Sequence, residues 1–139
     1  KTRDVASFSV MRISLVLVLL LAGCSNSTQT AEGVLNDYAL AAANSADLSS
    51  YLTGPALESA NQSAELIREL GLTSYGATNF SRTTELATDL YQSCLDVSAT
   101  SFRDGYGDLL ALERVERQLV EVKFSDGKVS NLELLGAPC

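Results

Sequence analysis

The chain has no histidine and no tryptophan, and only three cysteines, two prolines and one methionine among its 139 residues. The missing histidine excludes the most. It removes the side chain that titrates nearest neutrality, a leading metal ligand, and any Ser-His-Asp or Cys-His arrangement. No glycine-rich phosphate loop stands in for it, since Gly105 and Gly107 lie in a turn without the lysine or helix such a loop needs. Positive charge is scarce as well, with ten Lys and Arg against 17 Asp and Glu. Residues 1–23 hold Lys1, Arg3, Arg12 and Asp4, so from Cys24 onward seven cations face sixteen anions, a formal net charge of −9. An acidic surface of this kind repels phosphate backbones and anionic headgroups, so neither a nucleic-acid partner nor peripheral lipid binding is expected.

One apolar stretch is present near the start. Met11-Arg12-Ile13-Ser14 opens a run that stays apolar to Ala22 and closes in Leu21-Ala22-Gly23-Cys24, followed by Ser25-Asn26-Ser27-Thr28. A basic start, a short apolar centre and small residues at a cleavage point define a secretory signal segment. Ile13 to Ala22 is ten residues, half of the roughly twenty needed to span a bilayer. The cysteine directly after the small residues resembles the lipobox of bacterial lipoproteins. That resemblance implies cleavage between Gly23 and Cys24, and lipid attachment at Cys24. Met11 is one reading of the translation start and a longer gene beginning upstream of Lys1 the other; residues 1–23 read as upstream residues plus signal peptide. Residues 24–31 read as the lipidated cysteine with a flexible polar tether, and residues 32–139 as one domain. The expected location is the outer face of a cell membrane of Gram-positive type. The membrane is the first expected partner, held through the lipid because the acidic domain has no charge to hold it.

With Cys24 assigned to lipid, Cys94 and Cys139 remain as an even pair in an exported domain. An oxidising compartment lets them form a disulfide, and a domain of this size gains from one. The alternative is two free thiols.

Periodicity orders the rest of the chain. Val34, Leu35, Tyr38, Ala41 and Ala42 recur at helical spacing, predicting a thin, alanine-rich helix from about Ala31 to Ser45, with Thr30 as its cap. Pro55 suits the first turn of a second helix. Its apolar stripe is Leu57, Ala60, Ala64, Ile67 and Leu70, and Gly71 is its stop. The helical period then lapses. Leu72 to Arg82 reads as an irregular strand and Glu85 to Thr100 as one long central strand. Val115 to Phe124 reads as a third strand, and Ser125-Asp126-Gly127-Lys128 as a type I′ hairpin turn into a strand over Val129 to Leu135. The predicted class is α+β, with two N-terminal helices on a curved antiparallel sheet of about four strands.

This order resembles the cystatin-like or NTF2-like superfamily, which implies a cone-shaped sheet. More narrowly, it resembles small uncharacterised actinobacterial lipoproteins. The residues that carry this likeness are Tyr51-Leu52-Thr53-Gly54-Pro55-Ala56-Leu57, a cysteine in a central strand (Cys94), and the terminal Pro138-Cys139. Enzymes of that superfamily place a His/Asp or Tyr/Asp pair in the mouth of the cone, and here no histidine exists to fill the role. Tyr91, Asp89 and Arg114 form the one candidate ligand trio, an acid and a phenol on one strand joined by a cation. Their plainer reading is an aromatic core residue beside solvated charges. Asp104 and Asp108 flank a turn without calcium-loop spacing, so no metal is expected, and no cofactor or catalytic residue is assigned. Two functions are carried forward. One is a non-catalytic, lipid-anchored cell-envelope domain that contacts another protein or the cell wall. The other is a binding module for a small apolar ligand in the cone, suggested by the small-residue inner face of the first helix. An enzyme is the least supported class.

Overall fold

The computed structural model describes Gln29 to Cys139. The signal segment, Gly23, Cys24 and Ser25 to Thr28 lie outside the described residues. Among the described residues two helices come first: α1 (Ala31–Ala43) and α2 (Gly54–Glu69). Six strands follow: β1 (Thr73–Tyr75), β2 (Asn79–Ala87), β3 (Leu90–Asp96), β4 (Ser101–Arg103), β5 (Arg117–Ser125) and β6 (Lys128–Pro138).

Local chemistry explains the helix ends. The Thr30 hydroxyl accepts a hydrogen bond from the Gly33 N–H at 3.1 Å, capping α1. Gly54 and Pro55 open α2, and a left-handed Gly71 closes it. There the Gly71 N–H donates to Arg68 O and the Leu72 N–H to Ile67 O, the paired bonds of a Schellman stop. The β5–β6 turn is equally local. Asp126 (φ 51°) and Gly127 (φ 75°) are both left-handed, as a type I′ turn requires.

The expected cystatin-like or NTF2-like cone is overturned. The strands divide into a four-stranded antiparallel sheet, ordered β2-β3-β5-β6, and a separate ribbon of β1 with β4. The sheet is open and does not curl closed, because β2 and β6 stand at opposite edges and do not pair. The physical cause lies in the stretch read as one long strand from Glu85 to Thr100. Thr88 and Asp89 make a hairpin turn inside it, with Asp89 at φ 59°, a conformation that Asp tolerates better than most residues. The long bent strand needed to wrap a cone is therefore two shorter ones. Leu72 to Arg82 also breaks, at Gly76, into β1 and the start of β2.

Register assigns the faces. Tyr91, Ser93 and Leu95 of β3 stand opposite Val122, Val120 and Gln118 of β5. Tyr91, Leu95, Val120 and Val122 pack into the core beneath the helices, with Leu35, Ala39, Leu52, Ala56, Phe80 and Val129. Leu90, Gln92, Cys94 and Asp96 alternate onto the far face. Arg117, the cross-strand partner of Asp96, lies with its Nε 3.7 Å from that carboxylate. The buried Ser93 is satisfied by Ser81 O and the Thr83 hydroxyl, beside a bulge centred on Arg82 (φ 53°).

Both edges of the sheet are tied to the helical layer at a few points. At the β2 edge, the Asn36 amide of α1 donates to Phe80 O at 2.9 Å and accepts from the Phe80 N–H at 2.8 Å. Glu32, one turn earlier, accepts from the Thr83 N–H at 3.1 Å. At the β6 edge, the segment joining the helices pairs with the strand: Thr53 N–H to Val129 O and Val129 N–H to Tyr51 O, both at 2.9 Å. Unpaired edges invite association with other chains, and here side chains and a linker occupy part of each.

Cys94 and Cys139 form a disulfide, with Cα atoms 5.8 Å apart. β6 has β5 as its ladder neighbour, so the chain end reaches past β5 to β3 on the far face.

Two measurements check these constraints. Asn36→Ala leaves the paired polar groups of Phe80 without partners and should cost about 2 kcal/mol, read from the urea midpoint. Asn36→Asp, which sets a carboxylate against Phe80 O, should be no better at neutral pH. Reducing the disulfide releases a loop with a sequence separation of 45 and should lower stability by about 4 kcal/mol; an unchanged midpoint in dithiothreitol would show the bridge to be idle.

Candidate functional site

α1 packs over β2 and α2 over β6, at opposite edges of the sheet. Between them runs an open cleft of about 990 Å³. It follows from residue size. The helix faces that border it carry Ala39, Ala42 and Ala43 on α1, and Ala56, Ala60 and Ala64 with Ser59, Asn61 and Ser63 on α2. A methyl group reaches only a short way from a helix, so two such faces leave the space between them unfilled. The predicted stripe of α2 is accordingly only half used. Leu57 and Ala60 pack on the core, Ala64 and Ile67 line the cleft, and Leu70 is 61% exposed.

Leu48, Leu52 and Val129 bound one end of the cleft; Val97, Phe102 and Val115 bound the other. The floor comes from Gln118 and Leu132 of the sheet, and one wall from Tyr75 and Gly76. Gly76 is left-handed (φ 79°), and a Cβ there would lie 2.1 Å from Ala99 O. Only glycine lets the β1–β2 turn pass so close beneath the β3–β4 connection. Tyr38 projects from α1 into the lining and packs against Phe80, ring centroids 6.4 Å apart; burial pushes its phenol pKa upward.

Two charged residues line the cleft, Asp47 and Arg114. The Ser49 backbone N–H and hydroxyl, each 2.9 Å from the carboxylate, hold the Asp47 pKa down, so Asp47 is ionised at neutral pH. It sits near Lys128, at the hairpin end of β5. Arg114 sits before the opposite end of β5. Its guanidinium donates from Nη1 to the Thr100 hydroxyl at 2.8 Å and from Nη2 to Thr100 O. Both acceptors are neutral, and no carboxylate lies within ion-pair distance of Arg114 among the described residues.

The candidate trio does not come together. Tyr91 sits at the start of β3 and packs edge-on against Phe124, centroids 5.4 Å apart. Asp89 is exposed in the turn before it, its carbonyl accepting from the Phe124 N–H at 2.8 Å. Arg114 is clamped to Thr100, beyond the other end of β3, roughly 20 Å away along a seven-residue strand. Of the three, Arg114 alone lines the cleft. Asp104 uses its carboxylate to accept from the Tyr106 and Asp108 N–H groups, which makes it the organiser of its own turn. Among the described residues no cluster of three His, Cys, Asp or Glu side chains is placed to hold a metal ion, and no helix is long and apolar enough to cross a membrane.

The small-residue face of α1 was a sequence signal for the cleft. The matching face of α2 was hidden, because Ala60, Ala64 and Ile67 read as an ordinary core stripe. No protein-family model matches the chain, and a search of curated proteins found no match.

Gly76→Ala tests how the cleft wall is built. The left-handed backbone alone should cost about 1–2 kcal/mol, and the contact with Ala99 O should add to it. A thermal midpoint equal to the parent's would show that the turn does not pass so close.

Proposed function

We propose that this chain is a binding module for a small, mostly apolar ligand, held in the cleft between α1, α2 and the sheet. The cleft itself carries this reading. At about 990 Å³ it stands at the upper end of the roughly 300–1,000 Å³ common for small-molecule sites, and its lining sets apolar side chains such as Leu48, Leu52, Ile67 and Phe102 beside polar ones such as Ser59, Ser63, Thr100, Gln118 and Asn131. The absence of histidine from the chain and the separation of Tyr91 and Asp89 from Arg114 favour binding over catalysis.

In this proposal the module works outside the cytoplasm, tethered by lipid on Cys24 after cleavage at Gly23. The Leu21-Ala22-Gly23-Cys24 sequence supports that placement, together with the pairing of Cys94 with Cys139, which accounts for the other two cysteines of the chain. A second reading, contact with an envelope protein, draws on the loop between β4 and β5. It presents Tyr106 (94% exposed), Leu109, Leu112 and Val115 to solvent, more apolar surface than a free loop needs.

The test uses the neutral apolar dye N-phenyl-1-naphthylamine with the full chain carrying Cys24→Ser, so that no attached acyl chain competes. The expected result is saturable fluorescence enhancement. Ala42→Phe and Ala64→Phe, which fill the cleft from its exposed sides, should abolish it at an unchanged or raised urea midpoint. Equal enhancement by parent and filled variants would place the dye elsewhere and sink the proposal.

A further inference from the structure

The cleft has a direction, and its one cation says what kind of molecule fits it. Resting on the binding-module reading above, we propose that the ligand is a single-chain amphiphile with an anionic end group, its head held by Arg114 and its hydrocarbon lying between the alanine faces of α1 and α2.

The head-group assignment rests on how Arg114 is held. Its two Nη atoms are tied to Thr100, one to the hydroxyl and one to the carbonyl. Those bonds fix the position of the guanidinium without neutralising it. Two of its five N–H donors are used, and the other three have no protein acceptor among the described residues. From Cys24 onward the chain carries sixteen Asp and Glu side chains, and none of the described ones forms an ion pair with Arg114; the same holds for Arg82, Arg103, Lys123 and Lys128, but of these five cations Arg114 alone lines the cleft. A fixed, unpaired guanidinium suits a planar carboxylate or a phosphate, and being held in advance it loses little freedom on binding. The net negative charge of the domain opposes an approaching anion only over a short range, since the screening length is about 8 Å at physiological salt.

The chain assignment rests on the other end. From Gln118 at the start of β5 to Val129, which pairs with Phe124 near its end, the cleft runs beside most of a nine-residue strand, a length of about 20 Å. Its width is set by alanine methyl groups, and Leu48, Leu52 and Val129 close the far end with apolar surface. The second charge, Asp47, lies at that far end and is engaged by Ser49. An anion therefore finds its partner at the Arg114 end, and the methyl end of the molecule lies toward Leu52.

The experiment displaces N-phenyl-1-naphthylamine from the full Cys24→Ser chain with palmitate, hexadecyl phosphate and hexadecanol, which share a chain length and differ in head group. Palmitate, hexadecyl phosphate or both should bind about tenfold or more tightly than the alcohol. The stronger of the two identifies a free fatty acid or a phosphate-bearing lipid as the source. Arg114→Gln should abolish the preference and leave dye and hexadecanol binding intact, while Arg114→Lys should keep much of it. Equal binding of all three amphiphiles, or a preference that survives Arg114→Gln, overturns the head-group assignment and leaves the cleft as a site for neutral apolar molecules. Failure of the dye and all three amphiphiles to bind overturns the binding-module reading as well.

Discussion

The architecture depends on how the two edges of a four-stranded sheet are tied to the helical layer. At one edge a single amide, Asn36, supplies both a donor and an acceptor to Phe80, across a sequence separation of 44. At the other, the segment Tyr51 to Thr53 lies along Val129 as a short extra strand. These attachments place α1 over β2 and α2 over β6. Held at the edges, the helices do not meet over the middle, and alanine on their facing sides keeps the gap open. The cleft is a consequence of where the helical layer is fastened.

That arrangement leaves little core. Leu35, Leu52, Phe80, Val120, Val122 and Val129 carry most of the buried large apolar surface, while Leu66, Leu70 and Val115 stay more than half exposed. A domain with so modest a centre gains from bracing elsewhere. The Cys94–Cys139 bridge does this on the far face, where it holds the chain end to β3 and leaves the helical face unobstructed. The bridge and the cleft thus lie on opposite sides of one sheet, and the open space beneath the helices is compatible with a stable fold.

Much of the local structure was legible in the sequence. The cap at Thr30, the Pro55 start, the Gly71 stop, the Asp126-Gly127 turn and the cysteine pairing were each signalled by residue type and position. The hairpin at Thr88-Asp89 was missed because Asp89 has no glycine beside it to make the usual two-residue turn signal, and the apolar and polar residues around it alternate as in a continuous strand. With it went the cone: the strand long enough to bend around a closed sheet does not exist. The trio of Tyr91, Asp89 and Arg114 failed for the same reason, since the order of elements placed the first two at one end of β3 and the last at the other.

What the chain determined by itself is whatever depends on neighbours a few residues apart, together with what it lacks: no histidine chemistry, no surplus of positive charge, and one export-like segment ending at Cys24. Capping, turn and stop signals act within a single turn of backbone, so they survive without knowledge of the fold. The tertiary structure decided which strands share a sheet, that the helices stand apart, and that Arg114 enters the lining of the cleft without a carboxylate partner. Those outcomes depend on contacts between segments tens of residues apart. An empty space has no residue of its own to announce it in the sequence.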